Sequence, residues 1–595
     1  LKKFYTLLCL IFSFQAVAQQ GIPVPEFTSF EVAMQRFMQR WNVLGASVAF
    51  GTEGRLVYAR AFGYADVART VPLQPYHLLR VASLSKPITA LAVMKLIEQG
   101  RINLAGKAFG PTGYLRSAYY AGAITDKRIY DITVQQLLEH TAGWDRQIGC
   151  DGYGSCDPVD FPVHAAQTQR APSPVGDSTL VRFLLKKGLN YAPGTRYAYS
   201  NMGYLALGKI MEAVTGQGYE TWVRENLLVP AGALEAHLGH DLPAGRLERE
   251  AEYESRYQMP ACNGSGRQVP AAYGGLHLEA MSAHGGWVCS ARDLVRLQLA
   301  AEGNATRSGL LAQSTLATMV EPAGVAPGYA KGWQVNQVGN RWHSGQLDGT
   351  ATYLVRTAGT HTWAILLNSC PGTNAFWQEL DQLGWRAVPN AAAWPTHNLL
   401  APAQNTSALT ATEDSLGVVL RWTRGTGTRR LVLMQADAPV DAFPTDSTHY
   451  TAAAFGRGTV LGRGTYVVAN DADDSVRIPK PEPGHDYHLR VVEYADNDAT
   501  HHLPIYTLDG NPTLVLHSAP ELALQLYPNP VQEHLTVTGT TLPLPYQVLN
   551  DQGLLVQNGE LATDQPISVA ELSPGTYFIR FQAPEGLVSR RFLKE

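Results

Sequence analysis

Three short stretches carry residue types able to make and break acyl bonds. The first is VASLSKPITA, residues 81–90, with Ser83 three residues before Lys86 and an apolar run following. A serine hydroxyl is a weak nucleophile at its own pKa. It needs a base beside it and donors that hold the oxyanion. Residues three apart share a helix face, so Lys86 can reach the Ser83 oxygen. A lysine near a helix start and shielded from water loses proton affinity, and can then accept or relay a proton. Taken alone, the pair reads more simply as a serine cap and a solvated lysine. The second stretch is APGTRYAYSNMGYLALGKI, where Tyr199 and Asn201 follow the Pro193-Gly194 turn. Two apart across a loop, both side chains can enter one cleft. A phenolate made more acidic by nearby cations can act as general base. An asparagine amide can hold a lysine ammonium and a substrate carbonyl. The third is RWHSGQLDGT, with His343, Ser344, Gly345 and Gln346. Gly345 permits close approach of a substrate backbone. His343 offers a proton or a partial positive charge.

Positioning these residues requires a sheet and helices. FEVAMQRFMQRWNV has helical spacing. GASVAFGTEGRLVYARAFGYAD reads as strand, turn, strand. ITALAVMKLIEQG predicts a buried helix with Ala90, Val93, Met94 and Ile97 on one face and Gly100 as its stop. TATYLVRTAGTHTWAILLNS reads as a hairpin and NAFWQELDQLGW as a closing helix. A sheet with helices from both chain ends and a helical insert between is an α+β pattern.

The 595 residues exceed one core, and roughly 150 residues per domain suggests three or four domains. A net charge of −4 without a dense basic cluster argues against nucleic acid and anionic membranes. The start, LKKFYTLLCLIFSFQAVAQQ, has a basic head, a short apolar core and the small-x-small triplet Ala16-Val17-Ala18. It reads as a signal peptide over 1–18, too short to span a bilayer. No later segment is long and apolar enough for a transmembrane span. Five cysteines follow it: Cys150 and Cys156 could close a small ring, and Cys262 could pair with Cys289, leaving Cys370. No Cys-x-x-Cys is present, so zinc and redox roles have little support. Residues 391–412, rich in Ala, Pro, Thr and Asn, read as a linker. Short alternating strands follow over 413–515 and 522–595, two small all-β sandwiches.

Three resemblances order these pieces. PEPGHDYHLRV, with Tyr487 as corner tyrosine and Trp422 as core tryptophan, resembles fibronectin type III domains. Tyr527-Pro528-Asn529-Pro530, Gly575-Thr576-Tyr577 and the basic end Arg590, Arg591 and Lys594 resemble the C-terminal sorting domain of type IX secretion. That resemblance implies passage across the outer membrane by that secretion machinery, and a source among the Bacteroidota. Residues 22–390 resemble the serine β-lactamase and penicillin-binding protein superfamily, in its class C β-lactamase-like branch. The pattern is Ser-x-x-Lys, then Tyr-x-Asn, then Lys or His-x-Gly, supported by LLEHTAGW (137–144), GGWVCSARDLVRL (285–297) and GYAKGW (328–333). It implies a β-lactamase/transpeptidase-like sheet flanked by helices. It also implies roles. Ser83 is the acylated nucleophile, Lys86 its activator and Tyr199 the general base. Asn201 is the orienting amide, and His343 stands where many β-lactamases have Lys. Ser344 and Gly345 bind substrate, and the N–H groups of Ser83 and Gln346 form the oxyanion hole. No metal or cofactor is implied.

His343 in place of Lys leaves less permanent charge for a substrate carboxylate, which favours peptidase- or esterase-like members. The insert 145–176 is expected to line the cleft and set substrate choice. GDSTL at 176–180 resembles a lipase motif but lacks its companion blocks, and neither Gly-x-Ser-x-Gly nor His-Glu-x-x-His occurs. The expected function is a secreted serine hydrolase acting through an acyl-enzyme on an ester, amide or D-amino-acid peptide. The competing readings are a true β-lactamase, a catalytically idle cell-wall- or ligand-binding member, and an adhesin carrying a hydrolase.

Overall fold

The computed structural model describes residues 19–148, 157–303, 308–388, 394–400, 402, 404–446, 448–496, 504–507, 510–517, 524–540, 543–562, 566–583 and 586–595. The signal peptide expected at 1–18 and the Cys150–Cys156 ring lie outside the described residues.

Both ends of the first 390 residues contribute to one antiparallel sheet. Its strand order is Gln19–Gly21, Arg55–Gly63, Gly45–Thr52, His361–Leu367, Thr350–Arg356, Arg341–Leu347 and Gln334–Val335. The seam between early and late strands runs from Ala46 opposite Leu367 to Thr52 opposite His361. The strand Gly45–Thr52 is buried along its whole length because helices cover both faces. On one face the helix Thr28–Trp41 presents Phe30, Met34, Phe37 and Met38, spaced three or four apart. The helix Asn374–Ala387 joins them there with Phe376, Leu380 and Leu383. The other face carries the helix Ala291–Glu302 and, beyond it, the helical insert built around Ser85–Glu98. That helix is buried on nearly every side, and Gly100 just past it takes φ +68°, the expected stop. The α+β architecture of the β-lactamase/transpeptidase type, followed by β-rich domains, is as the sequence predicts.

Two expectations need correction. Residues 394–400, inside the segment read as a linker, are packed against the first domain. Leu399 N–H donates to Leu56 O at 2.7 Å, His397 Nε2 bonds the Val57 carbonyl at 2.8 Å, and Trp394 stacks on His361 at 4.3 Å. The following strand, Ser407–Asp414, also starts inside that stretch. Short polar and Pro-rich sequence hides a segment that is fastened by both its backbone and its side chains, Asn398 Oδ1 accepting from Leu56 N–H at 3.1 Å. Cys262 and Cys289 are both free and buried. Cys289 sits in the strand Trp287–Cys289, and Cys262 donates to Asp241 Oδ2 at 3.4 Å.

The middle sandwich packs a sheet of Ser407–Asp414, Gly417–Thr423 and Ser475–Ile478 against a larger one centred on Arg429–Ala436 and Asp486–Asp496. Trp422 and Tyr487 lie in the core between them. It docks on the hydrolase-like part through a buried ionic cluster. Arg292 bonds Glu235 at 2.7 Å and Asp446 of the sandwich at 2.8 Å. The guanidinium groups of Arg249 and Arg490 both lie over the Phe443 ring, 4.9 and 5.0 Å from its centroid. The last sandwich has its own core, including Leu535, Val548, Ile579, Phe581 and Phe592.

Candidate active site

Ser83 sits in a tight turn, Ala82–Leu84, that runs directly into the helix Ser85–Glu98. Ala82 takes φ +50°, a left-handed conformation that an alanine adopts only when its surroundings impose it. The Ser83 side chain makes no capping bond to that helix. Its oxygen instead lies 3.0 Å from Lys86 Nζ and accepts from the Tyr199 hydroxyl at 2.9 Å.

Lys86 is fully buried. Its nitrogen donates to Asn201 Oδ1 at 2.8 Å and to the His284 carbonyl at 2.9 Å. Burial pushes its pKa well below the ordinary lysine value. A neutral amine has two N–H groups and one lone pair. Two acceptors that cannot donate take both N–H groups, so the lone pair is left for Ser83. The amide orientation of Asn201 is fixed independently, because its Nδ2 donates to Asp157 Oδ2 at 2.8 Å. Once protonated, the ammonium also faces the Tyr199 ring, 4.7 Å from its centroid.

Tyr199 lies in the loop before the helix Asn201–Thr215, and Ser200, not Asn201, caps that helix by accepting from Gly203 N–H. Burial raises the Tyr199 pKa above the ordinary phenol value. That shift favours the protonated phenol over the phenolate. The Tyr199 hydroxyl donates to Ser83 at 2.9 Å, and Lys86 Nζ lies on the other side of the same oxygen at 3.0 Å.

His343 is joined to the cluster indirectly. Ser200 N–H donates to His140 Nδ1 at 3.2 Å, so neutral His140 carries its proton on Nε2, which donates to Tyr329 Oη at 3.1 Å. The Tyr329 hydroxyl faces His343 Nε2 at 3.3 Å, and His343 Nδ1–H donates to the Ser344 carbonyl at 2.7 Å. These tautomers follow from the network. Burial, with Lys86 nearby, pushes the His343 pKa down to about 3. That shift favours the neutral ring, which carries no fixed positive charge.

The strand carrying His343, Arg341–Leu347, turns at Asp348-Gly349 into Thr350–Arg356. In a two-residue hairpin the closing pair Leu347/Thr350 bonds across the ladder, as do Gly345/Thr352 and His343/Leu354. Ser344 and Gln346 then direct their N–H groups away from that partner. Gly345 brings the nucleophile turn against the strand. A Cβ there would stand 2.5 Å from Val81 O and 3.0 Å from Ser83 N, and would overlap Thr352 Oγ1. Gly345→Ala is therefore expected to push Ser83 N and Gln346 N apart and lower kcat by about 10²-fold or more, the loss typical of a spoiled oxyanion donor. Steady-state kinetics beside a thermal melt would separate this from unfolding.

Sequence reading missed Asp157, His140 and Tyr329 as individual residues. His140 and Tyr329 lie inside LLEHTAGW and GYAKGW, and the buried Lys331–Glu139 pair at 2.8 Å ties these two stretches together. Asp157 belongs to the insert. Trp144, Asp145, Arg146, Asp157, Ser200 and Met202 help line a cavity of about 170 Å³ beside Asn201. The described part of the insert thus adjoins the site.

A β-lactamase family model matches residues 30–388, more than half of the sequence, and the chain belongs to the β-lactamase family. A model of the secretion system C-terminal sorting domain matches residues 525–595. This type IX sorting domain marks the chain for export to the cell surface or beyond. The chain is similar to Protein flp of Staphylococcus aureus (strain MW2), 28% identical over 200 residues, which are 34% of this chain and 36% of the relative. It is also similar to Penicillin-binding protein 4* of Bacillus subtilis (strain 168), 28% identical over 213 residues, 36% of this chain and 40% of the relative. The chain thus spans little more than a third of the length of these curated relatives. The solved structure of D-amino acid amidase from Ochrobactrum anthropi SV3 complexed with L-phenylalanine amide aligns at 20% identity with a TM-score of 0.46, over 62% of this chain and 100% of that one. Among the described residues no helix is long and apolar enough to cross a membrane.

Proposed function

We propose that the chain is an exported serine hydrolase that cleaves an ester, an amide or a D-amino-acid peptide through an acyl-enzyme on Ser83. The observation that carries this reading is that Lys86 Nζ lies 3.0 Å from Ser83 Oγ while donating to Asn201 Oδ1 and the His284 carbonyl, so that the neutral amine turns its lone pair to Ser83. As Ser83 Oγ bonds to the substrate carbonyl carbon, its proton passes to Lys86 Nζ. The carbonyl oxygen becomes an oxyanion held by the N–H groups of Ser83 and Gln346. When the carbon–leaving-group bond breaks, the leaving atom takes the Tyr199 proton, and Tyr199 recovers one from Lys86. Water then repeats the sequence on the acyl-enzyme and releases the acid. Asp157 and Asn201 position Lys86, and the neutral His343 suits substrates that need no fixed cation at the third motif.

The domain map that accompanies this reading is a hydrolase domain over 22–390, a fibronectin type III-like sandwich through 515, and the sorting domain from 522. The antiparallel two-sheet arrangement with Trp422 and Tyr487 in its core supports the middle assignment.

A panel of short-chain esters, D-Ala-D-Ala peptides and nitrocefin, with a fluorophosphonate probe alongside, tests the reading. Hydrolysis of an ester or D-peptide together with labelling of Ser83 is expected. Faster turnover of nitrocefin than of any other substrate would make the protein a β-lactamase. Labelling no greater than in Ser83→Ala would make it an idle binding protein.

A further inference from the structure

We propose that Asp241, Cys262 and His277 bind one zinc ion, at a structural site apart from the Ser83 cluster. The three residues are far apart in sequence, yet all are buried, and one ligand atom of each lies within 4.8 Å of the others. Both other donors converge on one carboxylate oxygen: His277 Nδ1 lies 2.7 Å and Cys262 Sγ 3.4 Å from Asp241 Oδ2.

The hydrogen bonds around the cluster define which atoms face its centre. His277 Nε2 donates to the Val175 carbonyl at 2.8 Å, so a neutral ring presents its lone pair at Nδ1. The Glu279 N–H donates to Asp241 Oδ1 at 3.1 Å, which leaves Oδ2 for the centre. A lone pair and a carboxylate oxygen in contact need a positive centre between them, either a proton or a metal ion. The Cys262 thiol converges on the same oxygen and donates to it, so once its proton leaves, a third donor stands beside the other two and a metal ion can replace the shared protons. Thiolate, imidazole and carboxylate together are a zinc donor set, and their two negative charges offset the ion's charge. Backbone groups that orient the histidine and the carboxylate from outside are the usual second layer of such a site. Binding expels the Cys262 thiol proton to solvent, and water completes the tetrahedron.

The site joins four separate pieces of chain. Val175 closes the 145–176 insert, Asp241 follows the strand His237–Leu238, and Cys262 follows the strand Gln258–Pro260. His277 immediately precedes the short helix Leu278–Met281. Zinc would staple the end of the insert to the body of the domain. The absence of Cys-x-x-Cys hid this in the sequence, because no two ligands are neighbours along the chain.

The full chain, stripped with a chelator and titrated with Zn²⁺ and separately with Co²⁺, tests the proposal. One equivalent of zinc by elemental analysis and a thiolate-to-cobalt charge-transfer band are expected. Cys262→Ser and His277→Gln are expected to weaken zinc binding by about 10- to 100-fold or more, and Cys262→Ser to abolish the band. Wild-type protein that binds less than one equivalent, or shows no thiolate band, overturns the proposal without recourse to any variant. So does an unchanged affinity and spectrum in Cys262→Ser.

Discussion

Ser83→Ala and Lys86→Met are each expected to lower turnover of the preferred substrate by about 10⁴-fold or more, and the double variant to lose no more than either alone. The two residues act as one unit. Without Ser83 the Lys86 lone pair has no proton to take, and without Lys86 the Ser83 hydroxyl has no base, because Tyr199 already donates to it. Lys86→Arg should not rescue the loss, since a guanidinium keeps its proton at any working pH. The pH profile carries the same information. Burial lowers the Lys86 pKa, so the free amine becomes available as pH rises through that lowered value. Wild-type kcat/KM should therefore climb along an acid limb, and the residual rate of Lys86→Met should lack that limb. Single-variant losses that multiply in the double variant would show that the two groups act separately.

Arg292→Ala is expected to destabilise the protein by about 3–5 kcal/mol, the cost of leaving buried charges without their partner. Arg292 is 2% exposed and bridges Glu235, also 2% exposed, to Asp446 in the neighbouring sandwich. Glu235 keeps Arg249 at 3.2 Å, but Asp446 loses its only ion-pair partner among the described residues. Asp446→Ala should cost less, because Arg292 then retains Glu235. Thermal and urea unfolding of the full chain read both effects. A truncation before residue 400 should be destabilised in the same way, since it removes Asp446 and exposes the surface against which Ile505 packs. An Arg292→Ala change within about 0.5 kcal/mol of wild type would show that the two domains do not depend on each other.

The sheet and its two covering helices were legible because apolar spacing of three and four, or of two, survives in the sequence at Phe30–Met38 and Gly45–Gly63. The nucleophile helix was legible for the same reason. Ser83, Lys86, Tyr199 and Asn201 could be brought together from the order of three short motifs, and the structure joins them by direct hydrogen bonds. Their protonation states could not be read. The same types would serve a phenolate site or an amine site, and only burial and the saturation of donors decide between them. His343 illustrates the limit. Its residue type suggests a group that offers a proton or a positive charge, whereas tertiary packing buries it behind Tyr329. Asp157 was invisible because its partner Asn201 is remote in sequence and the insert carrying it has no periodic pattern. The packed segment 394–400 was misread because Trp394, His397 and Asn398 make their contacts singly, without a periodic pattern.

The central claim is that acyl groups pass through Ser83 with Lys86 as the base. The most direct measurement is rapid acid quench of the enzyme during turnover of its best substrate, followed by peptide mass mapping. The account predicts a mass gain equal to the acyl group on the peptide containing Ser83, formed in wild type and absent in Lys86→Met on the same time scale. An acyl mass on any other residue, or turnover without a mass gain on Ser83 under conditions that slow deacylation, would contradict it.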